Sequence, residues 1–136
     1  MSTISSETAL VYTMVVVAVS DMDMTQEEQD HMTGLVGYLP ALSSYQVERL
    51  ASDIDNCMAL LDQIEGLDAV IGLIAEAVPE SHYDLVYAVA CEVAASDGSL
   101  SQEELLLLEM FRHELNVDRL TAAAIERGVA ARRKSF

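Results

Sequence analysis

This 136-residue sequence predicts an all-α fold, a compact bundle of about seven helices with an internal pseudo-twofold repeat, as one domain over residues 1–136. Three observations carry the prediction. No stretch sustains the apolar–polar alternation of a strand, whereas apolar residues recur at helical spacing in one run after another. The two prolines and six glycines lie mostly at the breaks between those runs. A unit also repeats: residues 20–28 read Ser-Asp-Met-Asp-Met-Thr-Gln-Glu-Glu, and residues 96–104 read Ser-Asp-Gly-Ser-Leu-Ser-Gln-Glu-Glu. Each copy follows an apolar run, at 9–19 and 85–95, and Leu-Val-Tyr recurs at 10–12 and 85–87. Asp21 precedes Glu28 by the same interval that separates Asp97 from Glu104, so a helix–acidic loop–helix unit is duplicated.

The elements follow in order. Ser5 or Ser6 can cap a first helix that runs to about Ser20, and its Val15–Val19 stretch is apolar on every side, as a central helix must be. Thr25 and Glu28 form a capping box for the second helix, which Pro40 stops after about Tyr38. Ser43 with Gln46 reads as another capping box. It opens an amphipathic helix with Val47, Leu50, Ala51, Ile54, Met58, Leu61 and Ile64 inward, and Glu48, Asp53, Asp55 and Asp62 toward solvent. Gly66 is read as the break after it. Leu67, Val70, Ile71 and Ile74 then mark a short fourth helix that ends before Pro79.

Ser81 with Asp84 is placed to cap the fifth helix, which carries Leu85, Val86, Val89 and Val93 inward and ends at Ser96. Ser101 and Glu104 repeat the capping box of the second helix, with Leu100 and Leu105 as a hydrophobic staple. The sixth helix, from Gln102 to about Leu115, is so apolar that it reads as a second central helix. Asp118 caps a last helix to about Arg132, with Arg127, Arg132 and Arg133 at the negative end of its dipole.

Charge narrows the function. The formal net charge is −16, which argues against nucleic acid, because a phosphate backbone needs Lys and Arg. Residues 1–111 hold 20 acids against the single base Arg49, while residues 112–136 hold six bases and three acids. An acidic body with a basic end suggests cations or basic protein partners, and contact between body and tail. The basic segment 127–134 is either ordinary charge placement at a helix end or a docking segment, for anionic lipid at the inner membrane or for the acidic surface of a partner. Homo-oligomers are allowed. Cys57 and Cys91 lie in apolar helical patterns without Cys-x-x-Cys spacing and read as buried, reduced thiols of a cytoplasmic protein. The first apolar run is too short to span a bilayer.

The residues Ala94-Ala95-Ser96-Asp97-Gly98-Ser99-Leu100-Ser101-Gln102-Glu103-Glu104, with their partner copy at 20–28, resemble the TerB-like tellurite-resistance family. The first copy departs from the pattern with Met22 where Gly98 stands in the second, and with Asp23 in place of Ser99. The resemblance covers residues 7 to 132. It implies an all-α fold of two related halves, a bacterial, cytoplasmic or membrane-associated role in the response to tellurite and related stresses, and acidic positions that hold a divalent metal. It brings no enzymatic activity with it.

The candidate metal ligands are Asp21, Asp23, Glu28, Asp97 and Glu104. Two readings stand side by side. Glu28 and Glu104 complete capping boxes, and Asp21 and Asp97 make side-chain turns after a helix end. Capping leaves a surplus, however: Asp21, Asp23, Glu27, Glu28 and Asp30 fall within ten residues, and such a cluster repels itself unless water or a cation intervenes. Hard oxygen donors suit Ca²⁺ or Mg²⁺. Asp21, Asp23 and Thr25 copy the first EF-hand ligand spacing, but Gln26 and Met32 stand where its Gly and last Glu belong, so this is no EF-hand.

Glu28-x-x-His31 has the spacing of a di-iron carboxylate bundle, which needs a second such pair that the chain lacks. His31, His82 and His113 read as surface or interhelical polar contacts. No activated nucleophile or phosphate loop is present. The function expected is a non-enzymatic stress-response module that binds divalent cations through its acidic loops and contacts protein partners. The alternatives are a metal-free helical interaction scaffold and, third, a metal-dependent enzyme.

Overall fold

The computed structural model describes residues 4–19, 24–96 and 100–136, and these form seven α-helices with no strand among them. They are α1 (Ser6–Ala18), α2 (Gln26–Tyr38), α3 (Leu50–Leu61), α4 (Gly66–Ala77), α5 (Tyr83–Ala94), α6 (Gln102–Glu114) and α7 (Arg119–Arg132). No helix among the described residues is long and apolar enough to cross a membrane.

The centre is α1. Every residue from Thr8 to Ala18 is buried, so this helix must be covered on all sides, and α2, α3, α4 and α5 cover it. One polar group inside it is satisfied locally: the Thr13 hydroxyl donates to the Ala9 carbonyl at 2.9 Å. Ser5 accepts from the Thr8 amide at 3.1 Å and is the N-cap. The Ser6 hydroxyl reaches the Ala77 carbonyl at 2.7 Å and ties the start of α1 to the end of α4. α5 lies directly against α1.

The repeat is visible in packing as well as in sequence. Thr8 meets Asp53 and Tyr12 meets Cys57, contacts that advance in step, so α1 and α3 run parallel. Tyr87 meets Glu126, Glu92 meets Arg132 and Ser96 meets Arg133, so α5 and α7 also run parallel. Each half is therefore an apolar helix, an acidic loop, a capped helix and a third helix that returns parallel to the first. The link between the halves is α4, which packs on α1, α3 and α6.

Four details differ from the sequence reading. The Ser43–Gln46 capping box does not form. Residues Pro40–Leu42 and Val47–Arg49 make two 3₁₀ turns whose amides bond to backbone carbonyls, and α3 starts later, after Arg49, without a side-chain cap. The Ser81–Asp84 cap is also absent: Glu80–His82 is a 3₁₀ turn, Ser81 pairs with His82, and Asp84 accepts from the adjacent Leu85 amide. Gly66 does not end α3, which stops at Leu61; it opens α4. A Cβ there would lie 2.3 Å from the Leu60 carbonyl oxygen, so only glycine lets the two helices approach this closely.

The fourth is α6, which is peripheral. It packs on α5 and α4, burying Leu107, Leu108 and Phe111, while Leu105 is 45% and Leu106 61% exposed. Four consecutive leucines fan through about 300° around the helix, and a helix covered from one side can bury only part of such a run.

Candidate functional site

The two acidic loops join α1 to α2 and α5 to α6. Asp21, Asp23 and Asp97 lie outside the described residues. Glu28 and Glu104 lie within them, and both are held by capping boxes. Thr25 Oγ1 accepts from the Glu28 amide at 3.1 Å while Glu28 Oε1 accepts from the Thr25 amide at 2.8 Å. In the second half Ser101 Oγ accepts from the Glu104 amide at 3.1 Å, and Glu104 Oε1 accepts from the Ser101 amide at 2.9 Å. The cap residues share one backbone conformation, φ −80 and ψ 163 at Thr25, φ −78 and ψ 166 at Ser101. Each box engages one oxygen of its carboxylate.

The acids nearby are set outward. Glu27 and Glu103 are exposed, and Asp30 accepts from the Gln26 amide nitrogen at 3.0 Å. Leu100 and Leu105, the expected staple, are each 45% exposed. Among the described residues no three His, Cys, Asp or Glu side chains converge as a metal site. The described part thus supplies one positioned carboxylate per loop. Replacing Ser101 by Ala is expected to lower stability by about 1 kcal/mol, because it frees an amide that only the hydroxyl satisfies. Urea unfolding checks this, and an unchanged midpoint would show that the hydroxyl does no capping.

The basic tail is turned onto the body. Arg132 pairs with Glu92 at 3.2 Å, and the Arg133 guanidinium donates to the Ser96 carbonyl at 2.6 Å. Arg133 therefore stands at the residue that precedes Asp97, placing a positive charge where the second loop begins.

Among the histidines, His82 pairs with Ser81 at the surface, and His113 is exposed, 4.0 Å from Glu109. His31 differs from the expected polar contact: its Nε2 is buried with no hydrogen-bond partner, one turn after Glu28.

A polar cluster that sequence reasoning missed sits between α1 and α3. Asp53, expected toward solvent, is 5% exposed. Its Oδ2 accepts from the Tyr45 hydroxyl at 2.5 Å and from the Thr8 hydroxyl at 3.3 Å. Arg49 donates to Thr8 at 3.3 Å, lies 4.0 Å from Asp53 and stacks 5.7 Å above the Tyr45 ring. Burial, then the hydrogen bond to Asp53, pushes the Tyr45 phenol well above its usual range. The buried stripe of α3 is Leu50, Asp53, Ile54 and Cys57, rotated from the expected one, and Val47 and Ile64 are left exposed. The available signal was that Asp53 falls three residues after Leu50 and four before Cys57.

Both thiols are free and buried, as expected. Burial, with the nearby charge of Asp53, pushes Cys57 up to about 12. Burial also raises Cys91 to about 12, against the opposing hydrogen bond from Tyr87. Neither is a nucleophile near neutral pH.

The family model described as "Tellurite resistance protein TerB" matches residues 7–127. No curated protein and no solved structure matches the chain.

Proposed function

The chain belongs to the TerB tellurite-resistance family, and from that membership we propose that it is a non-enzymatic, cytoplasmic stress-response module that binds a divalent cation through its acidic loops and contacts a protein partner. The observation that carries this reading is the duplicated capping geometry. Twice, a loop that carries Asp (two in the first copy, one in the second) is followed by a helix whose first-turn Glu is fixed by the same pair of capping-box hydrogen bonds, with one carboxylate oxygen committed to the cap and one left over. A fixed carboxylate at the rim of an acidic loop lowers the ordering cost of a hard-cation site.

In the first loop Glu28 would act with Asp21 and Asp23, and in the second Glu104 with Asp97. The first is the better site. It has more carboxylates, whereas the Arg133 guanidinium is held at Ser96, where the second loop begins. Ca²⁺ and Mg²⁺ fit a donor set made of carboxylate oxygens.

Thermal melts from EDTA to millimolar Ca²⁺ or Mg²⁺ test this. Wild-type protein is expected to gain about 2.7 kcal/mol at a hundredfold excess over Kd. Asp21→Asn with Asp23→Asn and Glu28→Gln should abolish that gain. In EDTA the same triple variant should remain folded, within about 1 kcal/mol of wild type, since a lost cap contact is offset by relieved repulsion. Asp97→Asn with Glu104→Gln should reduce the gain less. A wild-type melting curve that ignores both cations would leave the metal-free interaction scaffold as the function.

A further inference from the structure

A groove of about 540 Å³ runs between α4 and α6. Ile71, Leu106 and Met110 give it an apolar lining, Asp68, Glu109 and Glu114 give it exposed carboxylates, and His113 lies 4.0 Å from Glu109 among them. Leu106 and Met110 are one turn apart on the same face of α6, and Leu106 is 61% exposed beside a buried Ile71. This surface has no part in the loops or their caps.

We propose that this groove docks a cationic amphipathic helix of a partner protein, with its apolar stripe on Ile71, Leu106 and Met110 and its Lys or Arg side chains against Asp68, Glu109 and Glu114. This names the surface for the partner contact put forward above and rests on that part of the reading, not on the cation. Two helices that frame an apolar groove accept a third in the helix-in-groove mode, and the carboxylates select its charge. A second copy of this chain is a poor occupant. Its body carries 20 acids against one base over residues 1–111, and in its own basic segment Arg132 and Arg133 are engaged with Glu92 and Ser96. An anionic membrane is repelled by the same carboxylates.

The test uses full-length protein in EDTA, so that failure of the cation reading leaves the result untouched. The probe is a fluorescein-labelled Leu/Lys peptide patterned as a one-stripe helix, compared by polarisation with a scrambled peptide of the same composition. The patterned peptide is expected to bind about tenfold more tightly, and Leu106→Gln, at an exposed position that folding does not need, should erase that margin. Glu109→Gln with Glu114→Gln should weaken the patterned peptide and flatten its salt dependence. Equal binding of the two peptides, or an unchanged margin in Leu106→Gln, would reduce the groove to general charge attraction and overturn the proposal. Concentration-dependent dimers in sedimentation that Leu106→Gln abolishes would overturn it in favour of a second copy.

Discussion

Raising the pH from 9 to 12 is expected to remove most of the stability of this protein. Burial holds Cys57 and Cys91 protonated up to about 12, against an ordinary thiol value of 9.0. The unfolded chain releases both protons from about pH 9 and the folded chain keeps them. Below that point the two states bind the same protons, and the contribution of the thiols is complete. Above it, each thiol lowers the unfolding free energy by about 1.4 kcal/mol per pH unit until its folded value is reached. Two thiols together therefore remove about 3 kcal/mol per unit. Tyr12, Tyr45 and Tyr87 act in the same direction from pH 10 upward, all three raised first of all by burial. A domain of this size holds about 5–15 kcal/mol in total, so losses of this size consume most of it before pH 12. Urea midpoints measured from pH 7 to 11 check the window. Cys57→Ala with Cys91→Ala should be less stable at pH 7, because of the cavities, and should show a shallower alkaline decline. A wild-type midpoint constant to pH 11 would mean that the thiols reach water without unfolding.

The parts of this fold that were legible in the sequence are those governed by local rules. The capping boxes at Thr25 and Ser101, the stop at Pro40 and the cap at Asp118 each depend on a few adjacent residues, and all four are present. The centrality of α1 was legible because a helix apolar on every face has only one place to go. What failed depended on how the surrounding structure settles around each residue. Ser43 and Ser81 have the composition of caps, but 3₁₀ turns occupy the stretches that would have been the first turns of their helices. The leucines of α6 suggested a core helix, yet whether they are covered is decided by α4 and α5. For the candidate site, the sequence identified the two capping glutamates and their shared geometry. Convergence of Asp21, Asp23 and Asp97 on a cation is a question of loop placement, which spacing alone does not determine. Asp53 was misplaced because a carboxylate on a helix is assumed to seek water, and its hydroxyl partners Thr8 and Tyr45 come from other elements.

That buried carboxylate gives the largest expected effect of any single substitution argued for this chain. Asp53→Ala should destabilise the protein by about 3 kcal/mol. The Tyr45 hydroxyl, 2.5 Å away, and the Thr8 hydroxyl, 3.3 Å away, both lose their acceptor inside a site where Tyr45 is 8% and Thr8 3% exposed. Arg49 contributes little, because its side chain is half in water and 4.0 Å from the carboxylate. Asp53→Asn keeps the shape and one acceptor oxygen, so it should cost about half as much as the alanine. Tyr45→Phe removes the same hydrogen bond from the other side. The double variant Tyr45→Phe with Asp53→Ala should therefore lose at least about 1 kcal/mol less than the sum of the single losses. Additive losses would show that the two groups do not act as a pair. The cluster joins α3 to the first turns of α1, whereas the first acidic loop follows the far end of α1. Asp53→Ala should for that reason lower the melting temperature while leaving the increment from added Ca²⁺ or Mg²⁺ at its wild-type size. Loss of that increment would instead mean that the placement of α1 sets the geometry of the loop.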